Sequence, residues 1–253
     1  MAAAGKYIYC FVKEKEDVSI CSSSFANVIS PVYTLPYKDI SAVVSNTDVY
    51  EFDPTRKNVL NHQRVVSKVM EKYPIIPVAF GTVGDNKRDI ENIITANYDQ
   101  LRDKLEFFKD KSELGLRITW DSNYFNEDIE SDEIKVLKRK VSGKEEEEVL
   151  LDKIQLGRLV QEAIENKKEE YINDIYNPLS KLAVMSKLKD GIPIKTVFNA
   201  YFLIRNSESD KFDKMVDKLA EPFLDKLVFS YTGPWPPYNF VDLRLKVNTE
   251  NRE

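Results

Sequence analysis

A catalytic or metal-binding site needs side chains that converge, and this chain offers few candidates for one. It contains a single histidine, His62, and two cysteines, Cys10 and Cys21. One histidine cannot supply the ligand set of a zinc site, and the two cysteines are too far apart for a C-x-x-C motif. We therefore expect no metal and no cofactor. A small-molecule enzyme that pairs a cysteine with His62, in the Cys10/His62 region, stays open as a hypothesis, because it requires only that the fold bring the two together.

Two other motifs bind ligands in some proteins but fit poorly here. The turn at residues 81–85 precedes a predicted helix, so its backbone N–H groups could bind an anion. It lacks the spacing of phosphate-binding glycine loops, and Asp85 places a negative charge at the helix start. Pro234 and Pro237 satisfy the minimal P-x-x-P pattern of SH3 ligands. The same rigid segment also suits a lid packed on its own domain, which is the interpretation we favour.

The apolar pattern predicts an α+β protein of two domains, because 253 residues exceed the usual size of a single domain. The first domain is predicted at residues 1–111, as a sheet with helices laid against it. Asp53 is its first predicted helix N-cap, and the helical spacing places His62 on the buried face. The predicted strands are residues 6–13, 28–35, 40–45 and 75–80, and the predicted helices are residues 54–73 and a stretch from Asp85 to Phe108.

The second domain is predicted at residues 112–253, with the ferredoxin-like order β-α-β-β-α-β. Its predicted strands are residues 114–120, 181–186, 196–204 and 227–231, and its predicted helices are residues 146–175 and 209–223. The first of these helices is long against a mean of about 11–12 residues in globular proteins, so its ends could project as a partner-binding arm. The charged stretch at about 121–148 is predicted as a variable insert of solvated loop and exposed helix start.

Composition narrows the function classes further. With 42% apolar and 31% charged residues, the chain is typical of soluble globular proteins, and no apolar run reaches the ~20 residues of a membrane helix. We expect a reduced, cytoplasmic protein without a membrane span. The net charge of −5 disfavours nucleic acid as a partner. A ferredoxin-like RNA-binding module, with Tyr201 and Phe202 stacking on bases, is a minor alternative, since the required basic-aromatic motif is absent.

Residues 232–241 read Thr-Gly-Pro-Trp-Pro-Pro-Tyr-Asn-Phe-Val and form the stiffest segment of the chain. Proline fixes φ and removes a backbone donor, so the segment is excluded from a central strand and is expected to pack through its side chains. We predict an aromatic clasp that closes the last strand. The candidate partner-binding or structural residues are Trp235, Pro236, Pro237, Tyr238, Phe240 and the core histidine His62.

Four strings in this order carry a family resemblance. The first is Tyr7-Ile8-Tyr9-Cys10, and the second is residues 40–45 (Ile-Ser-Ala-Val-Val-Ser). The third consists of two segments, Asn61-His62-x-x-Val65 and residues 76–82. The fourth is residues 233–241, which end in Tyr-Asn-Phe-Val. With these strings the chain resembles the gas vesicle protein F/L family. The resemblance implies a non-enzymatic protein located in the gas vesicle or acting in its assembly. Its implied partners are the small hydrophobic shell protein and other gas vesicle accessory proteins, and no catalytic residues come with the family.

Such a partner would have a clear physical task. A subunit that builds a gas-tight wall exposes large apolar surface before assembly, and exposed apolar surface promotes aggregation. An amphipathic long helix or a free sheet edge could cover that surface.

Overall fold

The computed structural model describes residues 5–25, 28–143, 149–189 and 193–243. These residues group into two compact units, one formed by 5–113 together with 234–243 and the other by 114–233. Both contain helices packed with a sheet, which confirms the predicted mixed helix-and-sheet class. None of the helices in the described ranges combines the length and the apolar character needed to cross a membrane.

The first unit is built on an antiparallel sheet with β1 near its centre. The strands are β1 (Gly5–Val12), β2 (Ser19–Phe25), β3 (Val28–Tyr37), β4 (Ile40–Thr47), β5 (Ile75–Pro77) and β6 (Val83–Gly84). Their order is β2-β3-β4-β1-β5, and β6 also pairs with β1. Nearly every residue of β1 is buried, as the continuous apolar run predicts for a central strand. Sequence analysis missed β2, whose serine-rich sequence lacks the usual strand pattern.

Three helices belong to this unit: α1 (Arg56–Met70), α2 (Lys87–Ala96) and α3 (Tyr98–Phe108). The N-cap of α1 is Thr55, whose side chain accepts a hydrogen bond from the Asn58 backbone, and the predicted cap at Asp53 is therefore wrong. The prediction that His62 lies on the buried face is confirmed. The helix predicted from Asp85 to Phe108 is two helices, because the buried Asn97 interrupts it and donates its side-chain amide to the Ile93 carbonyl at 2.7 Å.

The second unit contains a four-stranded sheet with the order β10-β7-β9-β8. Its strands are β7 (Lys111–Trp120), β8 (Met185–Leu188), β9 (Thr196–Arg205) and β10 (Leu227–Trp235). The predicted long helix is confirmed: α6 (Leu150–Tyr171) continues through the π-helical turn Ile172–Tyr176 into α7 (Asn177–Ser180). Helix α8 (Ser209–Ala220) packs Phe212 and Val216 into the same core as Phe202 and Ile175.

The interpretation of residues 121–148 as solvated loop and exposed helix start is corrected for most of the stretch. It contains α4 (Phe125–Ile129) and α5 (Asp132–Val141), while residues 144–148 lie outside the described ranges. Asp128 of α4 accepts hydrogen bonds from Trp120 Nε1 and Tyr171 Oη, each at 2.7 Å. This carboxylate therefore joins β7 to α6. The basic residues 138–140 at the end of α5 favour a helix C-terminus rather than a loop.

The expected assignment of all residues after 112 to the second domain is also corrected. The first unit extends to Glu113, and residues 234–243 group with it rather than with the second unit. The backbone N–H of Asn239 donates to the Glu113 carboxylate at 2.8 Å, and Tyr238 packs against the core of the first unit. The Tyr238 ring thus finds its apolar cover in the first unit.

Candidate partner-binding surfaces

His62 lies in a cluster of aromatic rings and is fully hydrogen-bonded. Its Nε2 lies 3.2 Å from the Val78 carbonyl, which can only accept, so Nε2 carries the proton. Its Nδ1 then accepts from the Tyr7 hydroxyl at 2.9 Å, and that oxygen accepts from the Gly81 backbone at 3.1 Å. Burial lowers the pKa of His62 to about 4, against the opposing effect of the Val78 bond. The imidazole is therefore a neutral core element that holds the loop after β5.

This geometry gives no support to an enzyme that uses the Cys10/His62 region. Both imidazole nitrogens of His62 are already occupied by protein groups. Cys10 is completely buried, and burial raises the pKa of its thiol. Burial also raises the pKa of Cys21, although the positive charges of Lys68 and Arg64 act in the opposite direction. A nucleophilic cysteine requires a lowered pKa and an available base. Across the described ranges, no group of three or more His, Cys, Asp or Glu is placed to hold a metal ion.

The structure also gives no support to the RNA-binding alternative. Phe202 is fully buried and packs against Phe212, with their ring centroids 5.2 Å apart. It is therefore unable to stack on a base, and only Tyr201 of the proposed pair is partly exposed.

The predicted clasp residues divide into buried anchors and one exposed ring. Pro236, Pro237 and Phe240 are buried, and the Tyr238 ring centroid lies 6.5 Å from that of His62. The Tyr238 hydroxyl is buried without a hydrogen-bond partner in the described part of the chain, and burial raises its pKa. Trp235, at the end of β10, is 42% exposed. The structure thus brings Tyr238 and His62 together and leaves Trp235 at the surface.

Trp235 borders a groove of about 330 Å³ on the first unit, which we call the Trp235 groove. It is lined by Gln63, Ser67, Glu113, Trp235, Pro236, Tyr238 and Asn239. The two residues from α1 form one wall and the C-terminal segment forms the other. A cavity of this size holds one or two side chains of a partner.

A second candidate surface lies on the second unit, on the exposed side of the start of α6. Its members are the exposed apolar residues Leu150, Leu151 and Ile154, which we call the apolar helical surface. Leu151 is 81% exposed and Ile154 is 62% exposed. The first three turns of α6 contain no buried residue, and Lys140 of α5 binds Asp152 of α6 at 2.8 Å. Sequence analysis predicted a projecting helix but missed α5, although the spacing of Ile134 and Leu137 was a signal for it.

Gly157 follows Leu150 and Ile154 along the same side of α6. A Cβ built at this glycine would have no neighbour within 4 Å, so nothing inside the molecule requires a glycine there. Glycine in a helix costs about 1 kcal/mol relative to alanine. A glycine among exposed apolar residues would allow the backbone of a partner helix to approach closely.

The comparisons with known proteins identify the family. Residues 5–242 match the family described as gas vesicle synthesis protein GvpL/GvpF. The chain belongs to this family. It is 28% identical to gas vesicle protein F of Haloferax mediterranei over 92% of each chain, and 25% identical to gas vesicle protein F1 of Halobacterium salinarum over 94% and 93%. Membership implies a role in gas vesicle formation.

The fold has a solved counterpart. The crystal structure of GvpF from Anabaena sp. PCC7120 superposes with a TM-score of 0.82 at 21% identity, covering 96% of this chain and all of the other. This likeness confirms the mixed helix-and-sheet fold, and the family match over residues 5–242 confirms the resemblance drawn from the sequence.

Proposed function

We propose that this chain is a non-enzymatic protein of gas vesicle formation that binds the small hydrophobic shell protein. The observation that carries the proposal is the apolar helical surface. Soluble proteins scatter single apolar residues over their surface, whereas grouped ones mark interaction sites. Here Leu150, Leu151 and Ile154 stand within two turns of one helix and are all exposed. A partner whose own surface is apolar before assembly matches this patch.

The binding mode we propose is a helix of the shell protein laid along α6. Fully burying each leucine or isoleucine on binding contributes about 1.5–3 kcal/mol, so the grouped side chains supply a useful fraction of an association free energy. Gly157 lets the partner backbone approach closely at the centre of the contact.

The C-terminal candidate residues take two roles in this proposal. Pro236, Pro237, Tyr238, Phe240 and His62 act as structural anchors, because they are buried or packed around the aromatic cluster. Trp235 is the contact residue of the group, and the Trp235 groove is a secondary site for the shell protein or for other gas vesicle accessory proteins.

We also assign the second unit to the ferredoxin-like arrangement and treat the two units as domains. Support comes from the sheet order β10-β7-β9-β8 combined with the element order strand, long helix, two strands, helix, strand. In this arrangement α4 and α5 are an insertion before the long helix.

The test is a matched pair of surface substitutions. Ile154→Asp places a charge in the apolar helical surface, and Ile194→Asp places the same charge at an isoleucine of similar exposure, 66%. Co-expression with the shell protein, followed by affinity purification, should recover less shell protein with Ile154→Asp and an unchanged amount with Ile194→Asp. Both variants should melt at the wild-type temperature. Equal recovery with both variants would remove the proposed site.

A second measurement separates a shell component from an assembly factor. Purified vesicles washed under stringent conditions retain the chain if it is a minor component of the shell. Its complete loss would assign it to assembly alone.

A further inference from the structure

The outer side of β2 is an unprotected sheet edge. The strand reads Ser-Ile-Cys-Ser-Ser-Ser-Phe, stands at the end of the sheet order, and pairs only with β3 among the described strands. Proteins usually protect such edges with lysine, proline or bulges. Strand β2 has no charged residue and no proline, and its one register shift lies at its start, between Ser19 and Cys21. Residues 22–25 are therefore a regular edge with backbone groups available for a further strand.

A basic flank of α1 runs beside this edge. Asn61 donates its side-chain amide to Ser23 Oγ at 2.9 Å, which fixes the helix next to the strand. Arg64 and Lys68, one and two turns further along the same flank, act electrostatically on Cys21. Both are exposed, and neither takes part in an ion pair within the described ranges. Helix α1 contains no acidic residue, although the whole chain carries a net charge of −5.

Exposed apolar side chains stand on the neighbouring strand, at the turn end of the β2–β3 pair. Val28 and Ile29 begin β3 and pair with Phe25 and Ser24 of β2. Both are exposed, Ile29 to 75%. A strand added to β2 would therefore meet the cations near Cys21, while Val28 and Ile29 would lie one strand further in.

We propose that the β2 edge binds an extended, acidic segment of a partner protein by strand addition. Backbone hydrogen bonds to residues 22–25 would supply the part of the affinity that does not depend on the partner's sequence. Carboxylates facing Arg64 and Lys68 would supply the selectivity for acidic segments. A second copy of this chain fits less well. Pairing β2 with β2 across a two-fold axis would bring two sets of Arg64 and Lys68 towards each other, and like charges oppose association. The surface lies on the other unit from the apolar helical surface, so each can fail independently.

The experiment measures amide hydrogen exchange of the full chain with overlapping synthetic peptides that span the gas vesicle proteins of the same organism. We expect at least one acidic peptide to slow exchange in residues 19–25, with an affinity that falls about tenfold or more on raising salt from low to high ionic strength. Three results would overturn the proposal: no peptide protects this strand, only neutral or basic peptides do so, or protection arises from self-association. Protection by a single-stranded RNA oligonucleotide alone would overturn it as well.

Charge-reversed variants provide the matched control. Arg64→Glu combined with Lys68→Glu should weaken binding of the acidic peptide about tenfold or more while the melting temperature is retained. Lys214→Glu combined with Lys218→Glu makes the same charge change at the same spacing on α8 and should leave binding unchanged. A third variant, Ser22→Pro, removes an N–H from the edge and should prevent protection of residues 22–25. Equal binding by both charge-reversed variants would refute the assigned role of Arg64 and Lys68.

Discussion

Lowering the pH should destabilise this protein through its only histidine. The folded pKa of His62 is about 4, against an ordinary value of 6.5, because burial disfavours the charged imidazolium. The unfolded chain therefore takes up a proton before the folded chain does. Protonation of His62 leaves the free energy of unfolding unchanged above pH 6.5 and lowers it as the pH falls from 6.5 towards 4. Below that range the loss in the free energy of unfolding that comes from His62 stays constant.

The size of the effect follows from these two values. At about pH 5 the unfolded imidazole is almost fully protonated and the folded one is mostly neutral, which lowers the free energy of unfolding by about 2 kcal/mol. The full loss, reached at still lower pH, is about 3 kcal/mol. Carboxylates such as Glu14 and Asp39, whose pKa values are lowered in the folded state, add their own losses at lower pH.

The assay compares urea unfolding of the wild type and of His62→Gln at about pH 7.5 and about pH 5. Glutamine offers one acceptor and one donor to Tyr7 and Val78 but does not titrate. We expect the wild type to lose about 2 kcal/mol more than the variant between these pH values. Equal losses would refute the reasoning. So would an NMR titration of the single imidazole in the folded protein with a midpoint near its ordinary pKa.

Three further predictions concern the framework. Gly157→Ala should raise the free energy of unfolding by about 0.5–1 kcal/mol in a thermal or urea melt, since the added methyl group meets no neighbour. Asp128→Ala should lower it by about 3 kcal/mol or more, because the hydrogen bonds from Trp120 and Tyr171 lose their charged acceptor, and a change below about 1 kcal/mol would contradict this. Glu113→Ala should speed proteolysis of the C-terminal segment at residues 234–243, measured by mass spectrometry against the wild type.

The elements that sequence analysis located are those with strong periodic burial. Strand β1 and helix α1 follow from their apolar patterns, and the single buried histidine follows from its helical spacing. Strand β2 has no such pattern, because an edge strand beside solvent can be built from serine. Helix α5 carries only one fully buried residue, Ile134, and its charges suit a solvated loop equally well.

The partner-binding surfaces were only partly predictable. The clasp residues form a recognisable string, but sequence alone could not tell that they pack on the first unit, since that depends on a contact with Glu113 more than a hundred residues away. The exposed apolar residues of α6 could be told from core residues only once the packing of that helix was known. Arg64 and Lys68 became informative only once the neighbouring strand was known.

The division of the first unit between the two ends of the sequence has a consequence for synthesis. A ribosome synthesises the whole second unit, residues 114–233, before it adds the Tyr238 ring that packs on His62. Domains generally fold as they emerge, N-terminal part first. Here the N-terminal unit has to wait, with part of its aromatic core uncovered, until residues 234–243 are made. A product cut short before residue 234 would therefore carry an unfinished surface that chaperones and proteases recognise.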